Sequence, residues 1–273
     1  MHPCARPTLP AVVLGCLIVA MADLPAAPTL WMTVHSVIQP AGEDRARPDP
    51  KSPQPCVILS GAQHDTGWPT MDLNVTRADL EGAMVQSLTD AGLPPAQDGK
   101  TPALAIVYHW GLHPLPQQYG GEEQAMRNVL ERATLAGGRA FAHELQAAIH
   151  ESAVHSVTNT QGINGTGGNA AFSIAAVSSM ADPVANFGKR SARHLFLLDQ
   201  STSECFFIVV SAMAIDPATG ERGDLLWRTS GTIRSRRLAA KSALPPLFAA
   251  MSPYLGQSKP EAALIKQKLA VRK

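Results

Sequence analysis

Apolar positions recur along the chain with two different periods, and the switches between them outline the elements. Leu30 to Ile38 reads Leu-Trp-Met-Thr-Val-His-Ser-Val-Ile, and Trp31, Thr33 and Val34 favour extended backbone. Residues 40–55 lose that pattern and gather Pro and charge, which predicts a long surface loop or disordered linker. Cys56-Val57-Ile58-Leu59 is a short apolar run with strand character. Helical spacing follows, with Leu80, Ala83, Met84, Leu88 and Ala91 on one face. Thr76 and Asp79 stand in a capping-box arrangement ahead of it. Gly92 suits its C-terminal cap, and Pro94-Pro95 prevents continuation. Ala103 to Tyr108 is continuously apolar and predicts a buried strand.

The second half repeats the alternation of periods. Over 121–151, Met126, Val129, Leu130 and Ala133 line one helical face, followed by Phe141, Leu145, Ala148 and Ile149. Gly137-Gly138 predicts a kink or a division into two helices. Residues 159–169 are rich in Gly and Asn and predict a flexible loop, and 182–193 a short helix. Glu204 to Ile215 is dense in Phe, Ile and Val, Asp216-Pro217-Ala218-Thr219-Gly220 is turn chemistry, and Asp224 to Ser235 returns as a partner strand. Trp227 and Ile233 fall on the same side at period two, the side expected to pack inward. Leu247, Phe248, Met251 and Leu255 mark a helix over 244–255, and 261–273 suggests a basic amphipathic helix. These elements predict an α/β (α+β) domain, a two-layer sandwich of a mixed or antiparallel sheet with helices mainly on one face.

Composition narrows the class. Apolar residues are 45% of the chain but aromatics only 5%, so the core is expected to be built from small side chains. The formal net charge of +1 gives no electrostatic case for a nucleic-acid partner. After the N-terminus no apolar stretch is long enough to cross a bilayer. The N-terminus itself, with Arg6, an apolar run from Leu9 to Ala22 and the small-x-small ending Ala20-Met21-Ala22, reads as a signal peptide. The mature protein is therefore expected to be periplasmic or secreted and to start near Asp23. A second reading makes it a lipoprotein, because Val13-Leu14-Gly15-Cys16 loosely matches a lipobox. Against lipidation at Cys16, the apolar run before it is short and contains Pro10, and it continues through Leu17-Ile18-Val19.

Past the signal only Cys56 and Cys205 remain. Both lie in strand-like segments, so in an oxidising compartment they are candidates for one disulfide; the other reading is two separate buried thiols. His109 and His113, in Tyr108-His109-Trp110-Gly111-Leu112-His113-Pro114, follow the predicted buried strand, where ligand sites of α/β proteins gather. They are candidates for metal ligation or general-base catalysis. Gly111 and Pro114 argue against the helix that would align them, and a third ligand is not evident. His143 and His150 read as a solvated helix face, and His64-Asp65 lacks a nucleophile. No Gly-x-Ser-x-Gly elbow is present. Gly162 to Gly168 lacks the spacing of a nucleotide fingerprint, so no cofactor is expected. Asn74-Val75-Thr76 and Asn164-Gly165-Thr166 are sequons that matter only in a glycosylating host. Lys189, Arg190 and Arg193, with Arg234, Arg236, Arg237 and Lys241, form two basic clusters without interleaved aromatics, which fits a solvated face.

Around its late hairpin the chain resembles a loose class of uncharacterised bacterial secreted or envelope proteins, in which the second strand carries a Leu-Trp-Arg element, here Leu226-Trp227-Arg228, and a closing helix follows. The resemblance follows the order of elements over 76–256 and implies an α/β domain without transferable catalytic residues. The Pro-rich segment near 40–55 and the Gly-rich loop depart from it. The resulting division is a signal peptide over 1–22, a strand plus Pro-rich linker over 23–55, a single α/β domain over 56–256 and a basic tail over 257–273. The expected role is that of an exported envelope protein with a non-enzymatic binding or assembly domain, its partner an unidentified envelope protein or ligand. The alternative is a metal-dependent or hydrolytic periplasmic enzyme using His109 and His113.

Overall fold

The computed structural model describes residues 29–45, 47–63, 73–97, 101–113, 122–161, 191–216, 218–235 and 238–268. The signal segment with Cys16, His64-Asp65 and the Gly162–Gly168 loop lie outside them. Six strands form one mixed sheet in the order β2-β3-β4-β5-β1-β6. They are β1 (Thr29–Ile38), β2 (Cys56–Gln63), β3 (Leu104–His113), β4 (Cys205–Ile215), β5 (Arg222–Arg234) and β6 (Lys259–Lys268). Only β2 and β3 run parallel; every other neighbouring pair is antiparallel. The helices are α1 (Arg77–Asp90), α2 (Glu122–Gln161), α3 (Ala192–Thr202) and α4 (Ala240–Met251). The α/β class and the mixed sheet are those the sequence predicts.

The layering goes further than the two-layer expectation. Leu30, Met32, Val34, Tyr108, Ile208 and Ile233 pack with α1 and α4 in one apolar cluster, while α2 and α3 gather a second around Val129, Ala133, Leu145 and Leu197. Helices thus cover both faces. The cause lies in β4, where Cys205 through Ala212 are all buried, so both faces of the central strand need cover. Between sheet and α2–α3 runs a polar seam. The Thr33 and Thr232 hydroxyls meet at 2.6 Å, the Thr232 hydroxyl reaches the Gln200 side chain, and the Ser230 hydroxyl donates to the Leu135 carbonyl.

Local signals hold where they are strong. The Thr76 hydroxyl accepts from the Asp79 N–H and the Asp79 carboxylate accepts from the Thr76 N–H, which completes the capping box. Gly92 closes α1 at φ 86°, with Leu93 N–H on the Leu88 carbonyl and Gly92 N–H on the Thr89 carbonyl, a Schellman ending. The division of α2 falls at Gly138, at φ 84° and ψ 175°. Gly220, at φ 71°, turns the β4–β5 hairpin.

Three expectations are corrected. The described part of the tail after 256, up to Lys268, is neither separate nor helical. Residues Lys259–Lys268 form β6 and pair with β1 from Thr29↔Lys268 onward, and Ala262 is buried in the α2–α3 cluster. With β1 lying between β5 and β6, the domain spans β1 to β6 rather than 56–256. Finally, the described part of 40–55 is an ordered strap. The Gln39 N–H binds the Leu226 carbonyl, a 3-10 turn covers Pro40–Gly42, Asp49 bridges to Ser52, and the Gln54 N–H binds the Gly92 carbonyl. Prolines limit the freedom this segment would lose on ordering, and both of its ends find backbone partners.

Candidate functional site

His109 and His113 sit within β3, not in a loop beyond it. The strand continues five residues past Tyr108 because its partner β4 is just as long, pairing Leu104↔Ala214 through His113↔Cys205. Four residues along a strand put the two imidazoles on one face but about 13 Å apart, whereas ligands of a shared zinc each lie about 2 Å from the ion. The pair does not chelate. His113 is buried and stacks on Phe207 at 4.4 Å between ring centroids, and His109 lies opposite Val209. Among the described residues no three His, Cys, Asp or Glu side chains are grouped to hold a metal.

The proposed disulfide is also overturned. Cys56 and Cys205 are free, buried thiols. Cys56 pairs with Leu104 and Cys205 with His113, at opposite ends of β3. Nine strand residues separate those ends by about 30 Å, far beyond the roughly 7 Å Cα separation a disulfide tolerates. Burial pushes the Cys56 thiol up to about 11 and the Cys205 thiol up to about 12. Each donates to a backbone carbonyl, Leu93 and Gln200 respectively. Both are packing residues with little nucleophilic character.

Most of the basic residues singled out by sequence are spoken for or lie outside the described residues, as do Lys189, Arg190, Arg236 and Arg237. Arg193 pairs with Glu261 at 2.7 Å, Arg234 with Asp199 at 2.6 Å and Lys241 with Asp79 at 2.7 Å. His143 and His150 are exposed on α2, and Thr76 of the first sequon is the α1 cap.

What the structure adds is a cleft under the strap, built from a strand irregularity. On β5 the pairing steps from Ala212↔Trp227 to Met213↔Leu225, which leaves Leu226 as the extra residue of a bulge. Bulging turns both Leu226 and its neighbour Trp227 inward, and both are buried. It also aims the Leu226 carbonyl out of the ladder toward the strap, where the Gln39 N–H takes it at 2.8 Å. Gly42 then lies directly on that carbonyl, so close that a methyl group there would overlap it. The result is a cleft of about 200 Å³ lined by Ile38, Leu104, Leu226 and Trp227 below, with Arg45, Arg47, Pro48 and Gln54 from the strap.

Sequence reasoning places Trp227 inward but misses Arg45, Arg47 and Gln54, because a Pro-rich charged segment reads as solvated linker. No local signal marks them; that Gly42 and Pro48 are both buried is seen only in the structure. Among the described residues neither Arg45 nor Arg47 has an ion-pair partner, although Glu43 and Asp44 share the strap. Both guanidinium-bearing side chains are exposed.

No protein-family model matches the chain and no curated relative was found. Among solved structures it is similar to a PDZ domain protein from Parabacteroides distasonis, at 10% identity and a TM-score of 0.33, over 90% of this chain and 41% of that one. At that score the likeness carries no argument. None of the helices among the described residues is long and apolar enough to cross a membrane.

Proposed function

We propose that the chain is an exported bacterial envelope protein whose α/β domain binds a ligand or partner rather than performing catalysis, with the cleft under the strap as its binding site. The observation that carries the reading is the cleft itself: an apolar floor made by the Leu226 bulge, roofed by a strap anchored at both ends and bearing two arginines without carboxylate partners among the described residues. Export is supported by Arg6 and the run Leu9 to Ala22 with its Ala20-Met21-Ala22 ending. The enzyme alternative at His109 and His113 loses its support in the spacing of the two rings along β3.

The test has two arms. The full chain is expressed in a Gram-negative host, and the product released by osmotic shock is sequenced from its N-terminus. A start near Asp23 supports export, a diacylglyceryl mass on Cys16 converts the reading to a lipid-anchored protein, and an unprocessed cytosolic chain overturns it. The envelope-purified protein is then weighed under native and denaturing conditions. Binding at the cleft requires a native adduct that is lost on denaturation and absent from the Arg45→Ala/Arg47→Ala variant; an adduct that survives both changes overturns the site.

A further inference from the structure

We infer that the cleft takes a small oxyanion ligand, a carboxylate or phosphate carried on a short apolar stem. This rests on the reading of the cleft as the binding site and adds the chemistry of its occupant. The rim decides the head group. Arg45 and Arg47 both line the cleft, and like Arg132, Arg139, Arg222 and Arg228 neither has a carboxylate within 4 Å among the described residues; what distinguishes them is that two guanidinium-bearing side chains stand on the rim of one cleft. A guanidinium offers a planar fork of N–H donors that matches the two oxygens of a carboxylate or phosphate. Two of them on one rim repel a cationic ligand and leave a neutral one without compensation for displaced water.

The floor decides the stem. Ile38 and the largely buried Leu104, Leu226 and Trp227 line it with the edges of aliphatic and indole groups, and Gln54 lines its side. Apolar area of that kind rewards a hydrocarbon or aromatic group by about 25 cal/mol for each Å² removed from water. Size sets the limit. At about 200 Å³ the space is smaller than the roughly 300–1,000 Å³ of pockets for drug-sized ligands, so the stem is of the order of one amino-acid side chain. The strap is held at the Leu226 carbonyl on one side and at the Gly92 carbonyl on the other, so both of its ends are fixed to the fold.

The experiment follows the indole N–H resonance of Trp227 in the ¹⁵N-labelled purified chain, assigned by its disappearance in Trp227→Phe. The probes are N-acetyl-leucine, N-acetyl-leucinamide and phenyl phosphate. The acid or the phosphate is expected to shift the resonance saturably, at least tenfold more tightly than the amide, with affinity falling as salt rises. Which of the two binds more tightly assigns the head group to carboxylate or phosphate. Arg45→Ala/Arg47→Ala, checked for an otherwise unchanged spectrum, is expected to weaken binding at least tenfold. If the amide binds as well as the acid, the oxyanion inference falls while the binding site stands. If no probe moves Trp227, the inference falls, and the native-mass comparison separately decides whether the site falls with it.

Discussion

Asp79 shows how much one side chain can link. Its carboxylate accepts from the Lys241 ammonium at 2.7 Å and from the Thr76 N–H and hydroxyl, and so ties the start of α1 to the start of α4. The Lys241 hydrogen bond, then those from Thr76, hold its pKa at about 2 instead of 3.8. A depressed folded value means that the contribution is complete above the unfolded pKa and disappears as pH falls through the folded one. Asp79→Asn is therefore expected to lower the urea midpoint at pH 7, with the gap to wild type closing between pH 3.8 and about 2. Parallel urea melts across that range measure it; a gap independent of pH contradicts the assignment. Gly42 is a second such residue. Its Cα rests on the Leu226 carbonyl, so Gly42→Ala is expected to lift the strap and destabilise the fold by about 1–3 kcal/mol. Thermal melts read the stability, and the Trp227 indole resonance reads the cleft.

At the scale of elements, legibility followed the range of the signal. The cap, the apolar face and the ending of α1 all lie within a few residues of one another, and all three could be read directly. The break in α2 was equally local. Gly138 lies at φ 84°, and a Cβ there would run into the His35 ring of β1. Gly138→Ala is expected to cost about 2–3 kcal/mol from left-handed backbone strain and the clash combined, seen as a lowered denaturant midpoint. β6 was misread because the short apolar run Ala262-Ala263-Leu264-Ile265 between charged flanks fits a helix as well as an edge strand, and only its pairing with β1 decides. The disulfide failed for the same reason: two cysteines in strands say nothing about which end of which neighbour each one meets. Both thiols, held well above their usual range by burial, are expected to escape iodoacetamide in native protein at pH 8 and to react fully in urea. Peptide mapping after each treatment checks both sites at once.

For the whole molecule, the class and the mixed sheet were legible, and the second helical layer was not. That layer depends on β4 being buried on both faces; its unbroken apolar run is consistent with that, but nothing local says which helices supply the second cover. The cleft was invisible for a further reason. It needs the Leu226 bulge, Leu104 of β3 and a strap from residues far away in sequence to meet. β6 finishes the sheet beyond β1, with Lys266 over the exposed Trp31 ring at 4.9 Å. A chain ending before Lys259 is expected to unpair the β1 edge, to uncover the Trp31 ring further and to elute as larger species than the full chain in size-exclusion chromatography. The strand order also sets a timetable. Among the described strands β1 is the first made, yet its two neighbours, β5 and β6, are the last. Thr33 waits 199 residues for Thr232. At 5–20 residues per second of synthesis, that delay is on the order of 10–40 s. Until β5 emerges, β1 has no neighbour in the sheet and its edge waits unpaired beside the growing β2-β3-β4 part, and the ten-residue β6 then closes its other edge.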